Sequence, residues 1–409
     1  MNLLIVSQFF KPETFIINDL ALEMEALGHT ITVLTGKPNY PEGDIYPGYK
    51  MLGVQKEMYG ENIEIIRVPL WPRKKAGALN LVLNYLTYAI SGTLLAPWYL
   101  RKKKIEAILV FAVSPITMAI PAIAVKFLKK AYLTIWVQDL WPQSLVVTSY
   151  VKNPLILKLV EKMVWCIYNC ADLLMVQSKS FYEPILKIHS KAKLQYYPNS
   201  FQRIEPDLFA KKLPENLDHL LEENFCVVFA GNIGMAQSIE TIIEAAKKLK
   251  GFNEKLKIVF VGTGAMHEWI KEQITQHSLD NVVCVGRYDM SYIPAIYAKS
   301  KVMLLTLKAD EILKYTLPWK TQSYMAASRP IIGAIDGEGM RVIEEAKCGF
   351  AGPAENAEVL AQNIKKALQL SDEERAQLGR NGFLYYQNHF EMKSQVKNFF
   401  KIIESRMQK

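Results

Sequence analysis

A chain of 409 residues, half of them apolar and 22% charged, is long enough for two hydrophobic cores rather than one. Its formal charge of +9 is unevenly placed: residues 1–200 hold 22 Lys and Arg against 14 Asp and Glu, which leaves 27 against 26 in the rest, so a basic surface is expected on the first half alone. Five scattered cysteines (166, 170, 226, 284, 348) without CxxC spacing exclude a disulfide scaffold, and no metal site is expected.

The opening MNLLIVSQFF is an apolar strand with neither a basic flank nor a small-residue cleavage site, so no signal peptide is expected. Short apolar runs follow at helical-length intervals: 3–7, 31–36, 63–68, 107–111, 132–137 and 173–178, then 225–231, 257–264, 282–286, 301–307 and 330–335. That alternation predicts parallel strands covered on both faces by helices, in two doubly wound α/β domains at 1–200 and 201–385. YYPNSFQRIEPDLF (196–209) has the composition of a connector, with the hinge at Pro198–Ser200. The tail, 386–409, spaces Phe390, Val396, Phe399, Phe400 and Ile403 along a helix and should dock on something.

Segment 65–105 contains eight basic residues (Arg67, Arg73, Lys74, Lys75 and Arg101, Lys102, Lys103, Lys104) and no acidic one, around an uncharged run from Ala76 to Leu100. The run is long enough to span a bilayer. Asn80, Asn84, Thr87 and Ser91 form a polar stripe on it, however, and Gly92 and Pro97 are expected to interrupt the remainder of the helix. Three placements are open: a helix in the membrane interface, a buried helix, or a span. Basic clusters beside an apolar helix favour an anionic lipid surface.

In a doubly wound unit the ligand lies outside the carboxyl ends of the strands, so the loops there carry the chemistry. VFAGNIGMAQSIETIIEAA (228–246) joins a strand to a helix through Gly231, Asn232, Ile233 and Gly234; Gly262 and Gly264 end the next strand, and Gly286 and Arg287 the third. Such turns cradle phosphate with backbone N–H groups, though tight turns without a ligand need the same glycines. LPWKTQSYMAASRP (317–330) puts Pro318 and Lys320 at the start of a short helix, either an anion site or a plain helix start with a solvated lysine. In the first half, WVQDLWPQS (136–144) sets Gln138 and Asp139 after a strand, where Asp139 is a substrate contact or a helix cap. GKPNYPEG (36–43), with Asn39 and Tyr40, is a second loop at that edge. There is no D-x-D, HExxH, GxSxG or Walker lysine motif, and SQFFKPETF after the first strand is not the dinucleotide fingerprint.

LALEMEALGHTITVLTGKPNYPEG, VQDLWPQSL, VFAGNIGMAQSIETIIEAA and LPWKTQSYMAASRPIIG, in that order, resemble the family 4 glycosyltransferases of the GT-B fold, among them bacterial O-antigen and capsule enzymes similar to L-fucosamine transferases. The resemblance implies two Rossmann-like domains facing each other across a cleft, an acceptor on the first, a nucleotide-sugar on the second, and a C-terminal helix crossing back. It implies a retaining, metal-independent transfer with no cofactor beyond the sugar nucleotide. By the same resemblance Gly286 and Arg287 meet the base, Ser323 or Gln322 the ribose, and Asn39, Tyr40, Gln138 and Asp139 the acceptor side. The chain departs from the pattern where cations and acids are usual: Asn232 and Gln237 replace an arginine and a lysine, Tyr315 and Ser323 a pair of glutamates, and Gln138 a histidine. Lys320 and the N–H groups of 232–235 are expected to supply the missing positive potential.

The expectation is therefore transfer of a UDP-linked amino sugar, such as N-acetyl-L-fucosamine, to a polyprenyl diphosphate-linked saccharide. It would occur at the cytoplasmic membrane face, with no nucleic-acid partner. A nucleotide-sugar 2-epimerase of the same fold and a catalytically silent nucleotide-sugar-binding scaffold are the rivals.

Overall fold

The computed structural model describes residues 1–74, 77–147 and 153–408; Lys75 and Ala76 of the basic segment lie outside the described residues. The chain divides into two compact units, Met1–Asn199 with Gln395–Lys409, and Ser200–Ser394.

The first unit is built on one eight-stranded sheet. Its strands are β1 (Asn2–Val6), β2 (Thr30–Gly36), β3 (Gln55–Tyr59), β4 (Ile63–Val68), β5 (Ala107–Ala112), β6 (Tyr132–Val137), β7 (Leu173–Val176) and β8 (Leu194–Tyr196), in the order β3-β4-β2-β1-β5-β6-β7-β8. Every pair is parallel except β3 with β4. The sequence pattern shows neither β3 nor β8, because QKEMY is a half-exposed edge strand and β8 is only three residues long. The steps β4→β5, β5→β6 and β6→β7 run the same way across the sheet. Right-handed crossovers therefore place the Ala78–Tyr99, Ala119–Lys129 and Pro154–Cys170 helices on one face, and the Ile16–Ala26 helix, which follows a step in the other direction, on the opposite face.

The second unit has six parallel strands, β9 (Phe225–Ala230), β10 (Leu256–Val261), β11 (Val282–Gly286), β12 (Val302–Thr306), β13 (Ile331–Ala334) and β14 (Gly349–Gly352). Their order is β11-β10-β9-β12-β13-β14, so strand order reverses between β9 and β12. Alternate side chains feed two cores: Val228, Val259, Met303 and Ile331 on one face, and Phe229, Ile258, Phe260 and Leu304 on the other.

The tail forms a helix, Met392–Met407, and from Gln395 onward it belongs to the first unit. The Phe400 ring stacks on His29 with centroids 3.4 Å apart, and the Tyr197 hydroxyl donates to the Gln395 carbonyl at 3.1 Å. The change of unit comes at 394/395 rather than at the 385/386 expected from the sequence. Phe390 is the reason: it stays with the second unit, its carbonyl accepting from Phe201 N at 2.8 Å.

The Ala78–Tyr99 helix runs unbroken through Gly92 and Pro97, contrary to the expected interruption. Gly92 is a contact point, since a Cβ there would lie 2.7 Å from Pro121 Cγ on the neighbouring helix. The polar stripe faces inward. Asn84 Oδ1 accepts from Gln8 Nε2 at 2.6 Å while its Nδ2 donates to the Trp71 carbonyl at 2.5 Å; Asn80 accepts from Trp71 Nε1 at 3.1 Å, Thr87 from Trp71 N at 2.8 Å, and Ser91 donates to the Pro69 carbonyl at 2.5 Å. Leu79, Val82, Leu86, Ile90, Leu94 and Trp98 on the other side are 47 to 71% exposed. Among the described residues this is the one helix long and apolar enough to cross a membrane.

This inversion predicts unequal responses from the two faces of one turn. Asn84→Leu strands buried groups at about 1–3 kcal/mol each and should lower the thermal unfolding midpoint clearly. Leu86→Gln, on the exposed face, should change stability by no more than about 0.5 kcal/mol. Thermal melts of the two variants check the orientation.

Candidate functional site

The loops at the carboxyl edge of the second sheet lie against one another. Gly231 N donates to Val261 O at 2.8 Å, Gly262 N to Gly286 O at 2.7 Å and Ile233 N to Thr263 O at 2.9 Å. A Cβ on Gly262, at φ +140°, would fall 1.9 Å from the Gly231 carbonyl oxygen, so this glycine is required by loop packing whatever the loop binds. Ile233 is buried and its N–H is occupied by Thr263, which removes it from the expected donors. Asn232 and Gly234 have no backbone partner for their N–H groups among the described residues, and Asn232 is exposed.

Lys320 reaches this loop from the first turn of the Trp319–Ala326 helix, whose N-cap is Pro318. Its Nζ donates to Gln237 Oε1 at 2.8 Å and lies 3.6 Å from the centroid of the Phe229 ring; its Cε is 2.8 Å from where a Gly231 Cβ would stand. Among the described residues no carboxylate pairs with it. Burial alone therefore pushes the ammonium down from 10.5 to about 7. Gln237 is fixed in turn, its carbonyl accepting from Thr306 Oγ1 at the end of β12. The two residues that the sequence links only as a loss and its replacement are thus in direct contact, at the edge where strand order reverses.

The ribose candidates sit on the same helix. Ser323 Oγ donates back to the Lys320 carbonyl at 2.9 Å, and Gln322 is buried with its amide donating to the Pro318 and Trp319 carbonyls at 3.1 and 3.0 Å. Both donate within this helix and its N-cap. Gly286, at φ +78°, has open space around its α-carbon, and Arg287 beside it is exposed.

The carboxyl edge of the first sheet holds the other candidates. Asp139 is not a helix cap: its Oδ2 accepts from Ser114 N and Ser114 Oγ, both at 2.8 Å, tying the loop after β6 to that after β5. Trp141 Nε1 donates to the same Ser114 hydroxyl at 3.1 Å. The Asp139 Oδ1 has no partner among the described residues. Gln138 is buried, its carbonyl accepting from Gln177 at 3.2 Å. Asn39 is fully buried and satisfied, its Nδ2 donating to Lys37 O and its Oδ1 accepting from Arg73 N and Asn84 Nδ2, so it shapes the loop rather than contacting an acceptor. Tyr40 is on the surface, beneath the Arg73 guanidinium at 5.0 Å.

Sequence reasoning missed Glu13, the group that organises this edge. Fully buried, its carboxylate accepts from Asn39 N at 2.9 Å, Tyr40 N at 2.8 Å and Phe10 N at 3.2 Å, and burial still pushes it up to about 7. The signal was a lone glutamate in KPETF at a strand end. Arg67, counted among the surface cations, is also buried and pairs with Glu57 from β3. Lys103 pairs with Glu64 at 2.5 Å and Lys104 with Glu106 at 2.9 Å, the acids that bracket the segment just outside its limits. Of the eight basic residues, Arg73, Lys74, Arg101 and Lys102 have no ion-pair partner among the described residues. No group of three or more His, Cys, Asp or Glu that could hold a metal forms among the described residues.

Residues 215–384 match the family model described as Glycosyl transferases group 1. WcaI of Escherichia coli K12, named as a colanic acid biosynthesis glycosyl transferase, is 23% identical over 394 residues, covering 90% of this chain and 93% of that protein. Among solved structures, the trehalose-6-phosphate structure from E. coli bound with UDP-2-fluoro glucose superposes with a TM-score of 0.71 at 13% identity, over 100% of this chain and 99% of that one. HepE of Anabaena in complex with UDP gives 0.67 at 14%, over 99% and 100%. At these identities the structural likeness speaks to the fold, which is GT-B.

The buried lysine has a consequence that needs no ligand. Between about pH 7 and the ordinary lysine range near 10.4 the unfolded chain binds a proton at Lys320 that the folded chain does not, so the contribution of this group to stability rises with pH across that window. In denaturant titrations, wild type should gain unfolding free energy over Lys320→Met as pH rises from 7 toward 10 (the pKa of about 7 setting the lower limit). A flat difference counts against the buried placement.

Proposed function

We propose that this chain, a glycosyltransferase by its 215–384 domain, moves a sugar from a UDP-sugar to a polyprenyl diphosphate-linked saccharide in bacterial polysaccharide assembly. The observation that carries the donor half is Lys320, a cation without a carboxylate at a helix start, beside a glycine loop with unpaired N–H groups. A diphosphate there would supply the missing counter-charge. It would raise the lysine's affinity for its proton and draw on the helix dipole and the N–H groups of Asn232 and Gly234. UDP or a UDP-sugar occupies the neighbours HepE and the E. coli trehalose-6-phosphate structure, in support of this donor class.

As the glycosidic bond to the leaving diphosphate lengthens, negative charge grows on its oxygens, and donors already aimed there lower the barrier. Lys320 and the loop would do this without a metal, the acceptor hydroxyl losing its proton to the departing diphosphate and the sugar keeping its anomeric configuration. On the acceptor side, Asp139 is held by Ser114 with one oxygen free to accept from a sugar hydroxyl. WcaI's assignment to colanic acid biosynthesis supports an exopolysaccharide or O-antigen setting; an N-acetylated amino sugar such as N-acetyl-L-fucosamine is the donor we favour.

The membrane half rests on the exposed face of the Ala78–Tyr99 helix. The crossovers set beside it two further helices with exposed apolar residues, Phe127 and Leu128 on one, Leu155, Leu159 and Trp165 on the other. Arg73 and Lys74 precede the first helix and Arg101 and Lys102 follow it, so cations flank an apolar surface, a pattern that supports docking on the cytoplasmic face of an anionic bilayer.

Two experiments test these halves. UDP release from UDP-sugar should require the lipid-linked acceptor, and Lys320→Ala should lose about 10²- to 10³-fold in kcat, as removal of one preorganised donor does. Release without acceptor, conversion to an epimer, binding with no turnover, or full activity in Lys320→Ala each overturns it. Flotation with vesicles containing anionic lipid should weaken by about 1 kcal/mol per charge in Arg101→Gln/Lys102→Gln; indifference to both changes counts against membrane docking.

A further inference from the structure

We propose that a groove between the Ala78–Tyr99 helix and the loop at residues 51–52 holds the hydrocarbon chain of a polyisoprenyl diphosphate, with its phosphates against Arg73 and Lys74. It rests on the acceptor class read above and adds a place for that acceptor on the first unit.

The groove has a volume of about 420 Å³ and its walls include Met51, Leu52, Trp71, Ile90, Leu94 and Leu95. Two hydroxyls also line it, and both are turned away from any ligand. Thr87 Oγ1 donates to Leu83 O at 2.6 Å while accepting from Trp71 N, and Ser91 Oγ donates to Pro69 O. A sugar or a nucleotide placed there would lose water and gain no hydrogen bond, whereas a hydrocarbon gains by every CH₂ it buries.

The charge at one end selects the head group. Trp71 belongs to the groove wall, and the Lys74 ammonium lies 4.7 Å from the centroid of its ring. The Arg73 guanidinium lies 5.0 Å from the Tyr40 ring centroid and 5.9 Å from that of Phe9. Neither cation has a carboxylate partner among the described residues. Their backbone is pinned, Arg73 N to Asn39 Oδ1 at 3.1 Å and Lys74 N to Gly43 O at 2.7 Å, so the Glu13-organised loop fixes where they stand. Lys74, over a wall residue of the apolar groove, and Arg73, the residue before it in the chain, complement a diphosphate head on a single hydrocarbon tail. Leu94, on the exposed face of the helix, would bring the far end of the groove to the bilayer surface proposed above.

The test uses the full-length protein and soluble probes, and it needs no turnover. Calorimetric titration with inorganic diphosphate, geranyl diphosphate and farnesyl diphosphate should show affinity rising by about tenfold or more from the first to the last. Arg73→Ala should weaken all three. Leu94→Glu and the groove-filling Leu94→Trp should abolish the dependence on chain length with unchanged melting temperature. Equal affinity for inorganic and farnesyl diphosphate, chain-length dependence that survives both Leu94 variants, or equally tight binding of an unbranched alkyl phosphate of matched length each overturns the assignment. If the chain-length dependence holds but no sugar is transferred to the lipid-linked acceptor, the groove stands and the transfer reading fails. If transfer persists in the Leu94 variants and no chain-length dependence is seen, the transfer reading stands and the groove fails.

Discussion

In a doubly wound unit the parallel strands end together, so every loop that follows a strand is driven onto one edge and must pass close to the next. Backbone groups and side chains buried by that crowding have to find partners among themselves, because little water reaches them. The two units meet this constraint in different ways. At the first sheet a carboxylate does it: Glu13 gathers three N–H groups from two loops, and Asn39, one of the residues it holds, connects onward to Arg73 and Asn84. At the second sheet glycines do it, by letting one loop's carbonyl stand where the next loop's Cβ would have been.

The glycine solution leaves room for one long side chain to enter, and Lys320 takes it. Against Phe229 and the Gln237 amide the lysine has an electron-rich ring and a neutral acceptor but no formal negative charge. This is a costly arrangement for an empty protein and a favourable one once an anion arrives, because the desolvation that depresses the ammonium also strengthens its attraction to phosphate. Where the resemblance leads one to expect an arginine and a lysine, this chain has Asn232 and Gln237, and the cation at the loop is Lys320 on the neighbouring helix. Gln237 thereby changes meaning: in the sequence it marks a missing cation, and in the fold it aims the one that remains.

The Ala78–Tyr99 helix shows the reverse economy on the first unit. Its asparagines, threonine and serine close the carboxyl-edge loops from the side, which leaves its leucines and isoleucines outside. A helix whose polar side is needed by the protein cannot also turn that side to water. The exposed apolar surface is thus a consequence of loop packing at the sheet edge, and it links the polar network around Asn39 and Asn84 to whatever apolar phase or partner covers the opposite side.

Eleven apolar runs at helical spacing were enough to determine the two α/β units, because buried parallel strands must be continuously apolar and their connections must be long. Those runs lie within three residues of the observed strands, and the sequence also marked Asp139 and Gln237 after strands and Lys320 at a helix start. It did not show β3, whose polar residues belong to an edge, or that Arg67 lies inside. Nor did it show that Glu57, Glu64 and Glu106, all outside the basic segment, neutralise part of it. It did not show that Ser323, Gln322 and Asn39 hydrogen-bond to backbone groups of their own segments. Periodicity along a chain reports which side of an element is apolar, and that is local. Which side faces inward, and which charges remain unpaired, depends on groups brought together from distant parts of the chain, and only the tertiary structure decides it.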